Sequence, residues 1–337
     1  MNRRTLLKAA AAVAGAPLAS WAVPARAHAA GAYHVAVCEQ ARNVVLVHPA
    51  DVEWTPASQV WRWSPPAAWV DGKNAWLGLS DVRFRNAGAR GWVALVTASA
   101  GKVGIVGTGK GGALLWSARP YGNPHAIERV PATGAVVTAS SQASDRVDYP
   151  GFLTVYGPRD PEDPSTLTRV QEIKYQGAHG LYFDGGYLWA LGTWTIAKYR
   201  VTGNRLDTRL EQVWKYTFEK AFNGHGLDAD YSDHQYLLVT SGGSVRRLHK
   251  ASGQLTDAKP TGVGVKSFCR VVSGESFWQQ AISVTDPASH PDAGTGYWNT
   301  YVQFFDAAGS PSFRRALKGY GYDARFYTAR ATGAAFS

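Results

Sequence analysis

The sequence has little of what defines several large classes of protein. It contains two cysteines and one methionine in 337 residues, and two cysteines are too few for a disulfide-stapled scaffold. Cys38 and Cys269 form either one bridge or two buried thiols, and the sequence leaves both alternatives open. Long apolar stretches with a period of 3.6 residues are absent after residue 29, which argues against a helical fold.

Several catalytic and binding fingerprints are missing as well. The sequence has no P-loop, no dinucleotide-binding glycine pattern, no Cys-x-x-Cys, no His-Glu-x-x-His and no Gly-x-Ser-x-Gly elbow. It also has no run of lysines and arginines of the kind that marks nucleic-acid binding. A nucleic-acid partner is therefore not expected.

The first 29 residues have the pattern of an export signal. The paired arginines Arg3 and Arg4 precede a short apolar stretch, and small residues offer cleavage after Ala27 or Ala29. The apolar stretch is interrupted by glycine and proline and is too short to span a membrane comfortably. The pattern predicts a twin-arginine signal peptide over residues 1–29 and a secreted mature protein without a membrane anchor.

Removal of this segment takes away four basic residues and no acidic one, so the net charge falls from +10 to +6. A moderately basic surface suits acidic substrates such as uronate-bearing polysaccharides, and it is equally consistent with an ordinary soluble surface. Residues 30–337 contain no linker or low-complexity tract. We expect them to form one monomeric domain.

Short alternating apolar runs, bounded by Gly, Pro, Asn and Asp, fill this domain and indicate many strands. Six segments resemble one another and are the candidate inner strands: Ser80–Arg85, Asn123–Glu128, Ala178–Phe183, Gly224–Ala229, Val265–Arg270 and Asp323–Thr328. The matching positions Asp81, His125, His179, His225 and Lys266 lie 44, 54, 46 and 41 residues apart. One four-stranded propeller blade requires about 40–45 residues.

The repeat therefore predicts an all-β, six-bladed β-propeller, and a seventh blade within Trp278–Tyr301 is the alternative. The first blade begins at His34 and lacks an inner strand of its own. We expect the segment Arg325–Ala329 to supply that strand. Closure of the ring by strands from both termini would remove an exposed sheet edge.

Innermost strands line the axis of a propeller, so His125, His179 and His225 are expected to face one another there. One hypothesis is a divalent metal such as Mn or Zn held by these imidazoles, with Asp81 as a further ligand. The other has no metal: an imidazole acts as general acid or base, and Lys266 or Arg325 binds an anionic group of the substrate. A third possibility is that the histidines only satisfy backbone groups along the channel.

Two acidic residues follow their histidines by three positions. Strand alternation predicts that Glu128 and Asp228 point away from the ligand that His125 and His225 would share.

These segments resemble a secreted actinobacterial propeller family of unknown function, and the resemblance extends over nearly all of residues 30–337. The segments that carry it are Cys38-Glu39-Gln40 with Asn43 and Leu46-Val47, Val60–Pro65, Gly122–His125, Ala178–Gly180, Gly224–Gly226 and Gly264–Ser267. The resemblance implies a propeller fold without an assigned reaction. In architecture the chain is loosely similar to β-propeller polysaccharide lyases, namely oligogalacturonate lyases and lyases that release rhamnose from glucuronate.

The leading functional hypothesis is a polysaccharide lyase that cleaves uronate-containing glycans by β-elimination. This reaction needs a cation and a base in one cavity, which His125, His179, His225, Lys266 and Arg325 could supply. A non-catalytic binding or scaffold propeller is the alternative. A hydrolase of the lactonase or glycosidase type is the third hypothesis, because no pair of channel carboxylates is evident.

Overall fold

The computed structural model describes residues 33–66, 76–109, 111–141, 151–281 and 296–333. The predicted signal peptide, residues 1–29, lies outside these ranges. Within them the chain forms 24 strands, arranged as six four-stranded antiparallel sheets. The six innermost strands contact one another in a closed cycle. The predicted six-bladed β-propeller is therefore confirmed.

The blades are numbered from the first strand, and their strands are given from the axis outward. Blade 1 has β24 (Phe326–Gly333), β1 (Tyr33–Glu39), β2 (Val44–Pro49) and β3 (Trp61–Trp63). Blade 2 has β4 (Leu79–Asn86), β5 (Trp92–Ala98), β6 (Lys102–Gly107) and β7 (Leu114–Ala118). Blade 3 has β8 (Asn123–Arg129), β9 (Val136–Ser141), β10 (Gly151–Gly157) and β11 (Thr168–Lys174).

Blade 4 has β12 (Gly180–Asp184), β13 (Tyr187–Leu191), β14 (Thr195–Thr202) and β15 (Arg209–Thr217). Blade 5 has β16 (Gly224–Ala229), β17 (Tyr236–Ser241), β18 (Val245–His249) and β19 (Leu255–Asp257). Blade 6 has β20 (Val265–Arg270), β21 (Ser276–Gln280), β22 (Tyr301–Phe305) and β23 (Pro311–Ala316). The helices of the described residues are single 3₁₀ turns at Pro56–Ser58, Gly88–Arg90, Pro164–Thr166 and Arg205–Asp207, and none of them could cross a membrane.

Blade 1 joins the two ends of the described chain. Strand β24 pairs antiparallel with β1, with Thr328 opposite Cys38 and Arg330 opposite Ala36. The predicted closure is thus confirmed. The alternative seventh blade is wrong, because β21 and β22 are successive strands of blade 6.

The hydrophobic core lies between neighbouring blades, so both faces of a strand are buried. In β1, Val35 and Val37 pack with Phe277 of blade 6, whereas Ala36 packs with Val82 of blade 2. This two-sided burial explains why a middle strand such as β5 is apolar along most of its length rather than alternating. Cys38 and Cys269 are both free thiols buried in this core.

Candidate functional site

Most inner strands carry a β-bulge near their first residues. In β8, Pro124 pairs with Ser140 and Ala126 with Ala139, so His125 has no partner of its own. In β20, Lys266 is the extra residue between Val265 and Ser267. A bulge re-aims the side chain of the extra residue, and this device presents His125 and Lys266 to the axis.

The same position recurs around the ring. The extra residue is Ser80 in β4 and Tyr327 in β24, and in β16 His225 and Gly226 together oppose Thr240. In blade 4, His179 directly precedes β12, and its N–H donates to the Leu191 carbonyl. We call the six residues at this position, Tyr327, Ser80, His125, His179, His225 and Lys266, the channel ring.

The three imidazoles of the channel ring lie together, as the repeat spacing predicts. The rings of His125 and His179 stack with centroids 3.7 Å apart and planes 10° apart. His225 meets His179 edge-on, with centroids 5.3 Å apart. His125 is fixed further by the Ser141 hydroxyl, 3.0 Å from Nε2, and by the Tyr327 hydroxyl, 3.3 Å from Nδ1.

Lys266 completes this cluster with a positive charge. Its Nζ lies 3.4 Å from Nδ1 and 3.3 Å from Nε2 of His225, and the residue is only 8% exposed. Among the described residues, no carboxylate forms an ion pair with Lys266. A buried charge without a counter-ion is costly, so the described part of the site is short of an anion.

Burial sets the protonation of the cluster. Burial, with a smaller contribution from the Lys266 ammonium, lowers the pKa of His179 to about 4 and that of His225 to about 2. The pKa of His125 is lowered by burial and by the neighbouring His179. Burial also lowers the pKa of Lys266 to about 8. Near pH 7 the cluster therefore holds three neutral imidazoles beside one ammonium group.

The observed arrangement does not suit a metal held by three imidazoles. The lone pairs of an imidazole lie in its ring plane, so the face-to-face rings of His125 and His179 cannot aim at one ion between them. Lys266 places a positive charge beside the third ring. Within the described ranges, no group of three or more His, Cys, Asp or Glu side chains is placed to hold a metal ion.

Asp81, expected beside the histidines, lies elsewhere. The bulge residue of β4 is Ser80, so Ser80 is equivalent to His125 and Asp81 is equivalent to Ala126. The equivalence of Asp81 with His125 that the repeat spacing predicted is therefore wrong by one residue. The Asp81 carboxylate is buried and accepts from Nε of Arg330 at 2.8 Å and from Nε of Arg83 at 3.2 Å. It serves as their counter-ion.

Glu128 and Asp228 lie in the channel as well, contrary to the expectation from strand alternation. The extra residue of each bulge shifts the alternation, so that residues three positions apart share a face. Nη1 of Arg83 in blade 2 lies 3.8 Å from Glu128 of blade 3 and 3.7 Å from Asp228 of blade 5. Side chains from blades 2, 3 and 5 can meet only near the axis.

These charges form a continuous layer beneath the channel ring, which we call the ionic floor. Its six members are Asp81, Arg83, Arg85, Glu128, Asp228 and Arg330, three acids and three bases. Arg85 pairs with both Glu128 oxygens at 2.7 Å, and Arg330 reaches Asp228 at 3.2 Å. Arg83 also donates to the Leu227 carbonyl across the axis at 2.7 Å. The side chain of Arg83 thus crosses the axis on the side of the histidines where the floor lies.

Arg325 stands apart from the channel ring. It precedes β24, is exposed, and lies with its guanidinium 4.8 Å from the centre of the Trp298 ring. Its backbone N–H donates to Glu39. Arg325 thus contacts Trp298 and Glu39, and it is not one of the six residues of the channel ring.

Tyr327, Arg83 and Arg330 are members of the site that the sequence reasoning missed. An alignment of the innermost strand of blade 1 with that of blade 3 could have found them. When Tyr327 is aligned with His125, Arg330 takes the position equivalent to Glu128. The same alignment places Arg83 at that level in blade 2. A bulged strand with a tyrosine at the histidine position gives no obvious repeat in the sequence.

Comparison with known proteins gives a family but no activity. Residues 27–279 match a family of unknown function, DUF6528, and the chain belongs to that family. No curated protein matches the sequence.

The chain is similar to two solved structures. One, a functionally unknown protein from Desulfotomaculum acetoxidans, is 10% identical, with a TM-score of 0.50 over 89% of this chain and 99% of that chain. The other, apo AztD from Citrobacter koseri, is also 10% identical, with a TM-score of 0.46 over 90% of this chain and 99% of that one. At 10% identity, the likeness to the first structure shows the fold alone.

Proposed function

We propose that the channel ring binds a carboxylate-bearing glycan and that the protein is a secreted lyase acting on uronate-containing chains. One observation carries the proposal: Lys266 is a buried ammonium without a carboxylate partner among the described residues, in contact with a neutral imidazole. An anionic ligand would supply the missing counter-charge. We expect the ligand to enter from the side of the channel ring, because buried side chains of the ionic floor cross the axis on the other side.

β-Elimination uses the same groups. Lys266 pairs with the substrate carboxylate and acidifies the adjacent C5–H. His225, 3.3 Å from Lys266, takes the C5 proton; the C4–C5 double bond forms and the C4–O bond breaks. The hydroxyl of Tyr327, oriented by Nδ1 of His125, donates the proton that the leaving oxygen needs.

Substrate binding changes the pKa of His225. In the free protein, burial and the Lys266 ammonium keep the pKa of His225 low, which makes the ring a weak base. A bound carboxylate offsets the positive charge of the ammonium, so one cause of the low pKa of His225 is removed and that pKa rises. His225 gains basicity only when a substrate is present.

The direct test measures unsaturated product from purified protein with pectic, alginate-like and rhamnosyl-glucuronate glycans. We expect a rise in absorbance with at least one of them, and a loss of at least a hundredfold in rate for Lys266→Met and for His225→Gln. Lys198→Met is the matched control, because Lys198 lies over Tyr187 and Trp189 in blade 4, away from the channel ring.

A non-catalytic binding propeller is the second candidate. It is favoured by the stacking of His125 on His179 and by the hydrogen bonds to both nitrogens of His125, which suit a rigid binding surface. Glycan binding that depends on Lys266, without unsaturated product on any uronate, would replace the lyase by this function. A hydrolase with paired carboxylates is less well supported, because Asp81, Glu128 and Asp228 are all engaged by arginines.

A further inference from the structure

An exposed aromatic side chain stands beside Lys266 at the rim of the channel. Tyr297 is 64% exposed, whereas its neighbour Trp298 is only 7% exposed. The segment is held in place by Asn299, which exchanges two backbone hydrogen bonds with Phe326 of β24, at 2.7 and 3.0 Å. Tyr297 is therefore two residues from a fixed point on an inner strand.

The ammonium of Lys266 lies between two tyrosine rings. Its Nζ is 5.4 Å from the centre of the Tyr297 ring and 5.8 Å from that of Tyr327. Tyr327 is buried and bonded to His125, so its position has a structural explanation. The ring of Tyr297 faces the same charge from the solvent side.

A uronate suits the chemistry of these groups. An ammonium–carboxylate pair has an N···O distance of about 2.8 Å, and the carboxyl carbon of a uronate is attached directly to the pyranose ring. A sugar whose carboxylate reaches Lys266 therefore places its ring next to Tyr297. Aromatic rings gain free energy when an apolar face covers them.

We propose that Tyr297 is a specificity residue that stacks on the pyranose ring of a uronate whose carboxylate is paired with Lys266. This assignment rests on the proposed function and adds a selection rule to it. The site prefers a carboxylate carried on a six-membered ring to the same carboxylate on an open chain.

Methyl glucuronide and gluconate test this rule, because they share a carboxylate and hydroxyl groups but only the first has a ring. Titration calorimetry on the full chain should give a five- to tenfold preference for the glucuronide, which corresponds to stacking worth about 1 kcal/mol. Tyr297→Ala should remove that preference and leave gluconate affinity within twofold of its original value. Tyr297→Phe should behave as the unaltered protein.

Tyr216→Ala is the matched control, since Tyr216 is also exposed but lies on the outer strand β15. Equal affinities of the unaltered protein and Tyr297→Ala for the glucuronide would overturn the stacking role alone. A loss of both ligands by Tyr297→Ala would also overturn it, because it would mean that Tyr297 supports Lys266. Failure of the unaltered protein to bind either ligand would overturn the proposed function, and the stacking role with it.

Discussion

At the residue scale, the central fact is that Lys266 is kept in a position that disfavours its charge. Burial lowers the pKa of this lysine from 10.5 to about 8, and the side chain touches imidazole and aromatic rings. The chain tolerates this cost in the folded state, as binding sites commonly do. Lys266 therefore opposes folding, a cost that the proposed binding of a carboxylate would explain.

The sign of this effect is testable. Below pH 8 the folded state must hold an ammonium group that the unfolded state solvates freely, and between about pH 8 and 10.5 the folded protein releases that proton first. The stability cost is thus present at pH 7 and disappears as the pH rises to 10.5. Lys266→Met should raise the free energy of unfolding at pH 7 by up to about 3 kcal/mol.

Urea unfolding of the unaltered protein and of Lys266→Met, at pH 7 and at pH 10.5, provides the measurement, with Lys198→Met as the control. The increase in the free energy of unfolding that Lys266→Met gives at pH 7 should vanish at pH 10.5. A destabilised Lys266→Met at pH 7 would mean that the ammonium has a counter-ion.

At the element scale, the spacing of turns and apolar runs was sufficient to predict six blades and the return of the C-terminal strand. The repeat also brought His125, His179, His225 and Lys266 to one level, because they sit at equivalent points of the inner strands. It misplaced Asp81, since a single bulge residue is invisible in intervals of 41–54 residues. Stacking, ion pairing and the protonation of buried groups depend on interatomic distances in the folded protein. The number of residues between two repeat positions does not determine these distances.

Strand β24 provides the element-scale prediction. Its removal would leave β1 with an unpaired edge and would remove Tyr327 and Arg330 from the channel. A chain truncated after residue 325 should lose its cooperative thermal transition and aggregate, because an exposed apolar strand edge pairs with other chains. Circular dichroism and size-exclusion chromatography would show this, with removal of residues 334–337 alone as the control. A monomeric truncated chain with an unchanged transition would contradict the closing role of β24.

At the scale of the whole molecule, the ionic floor links blades that share no sheet. Arg83 of blade 2 reaches Asp228 and Leu227 of blade 5, and Arg330 of blade 1 reaches the same aspartate. The three arginines match the three acids, so the buried layer is electrically balanced. Removal of one partner from such a layer is strongly destabilising, because it leaves an uncompensated buried charge.

Arg83→Met should therefore destabilise the protein by about 3–5 kcal/mol, because it leaves a surplus of buried carboxylate. The double variant Arg83→Met/Asp228→Asn should recover much of this loss, since Arg330 keeps Asp81 and Arg85 keeps Glu128. Urea denaturation measures both. Arg90→Met, which breaks an exposed pair with Asp163, is the control and should have little effect. A double variant no more stable than the single one would argue against charge balance as the cause.

The pairing of β24 with β1 also dictates when the protein can fold. Cys38 meets Thr328 across one ladder, so almost 300 residues must be synthesised before the first blade receives its innermost strand. Contacts between such distant parts of a chain form slowly. During synthesis, blades 2 to 5 can form in order while blade 1 remains incomplete. Strand β24, the last to be synthesised, then completes blade 1 and closes the ring.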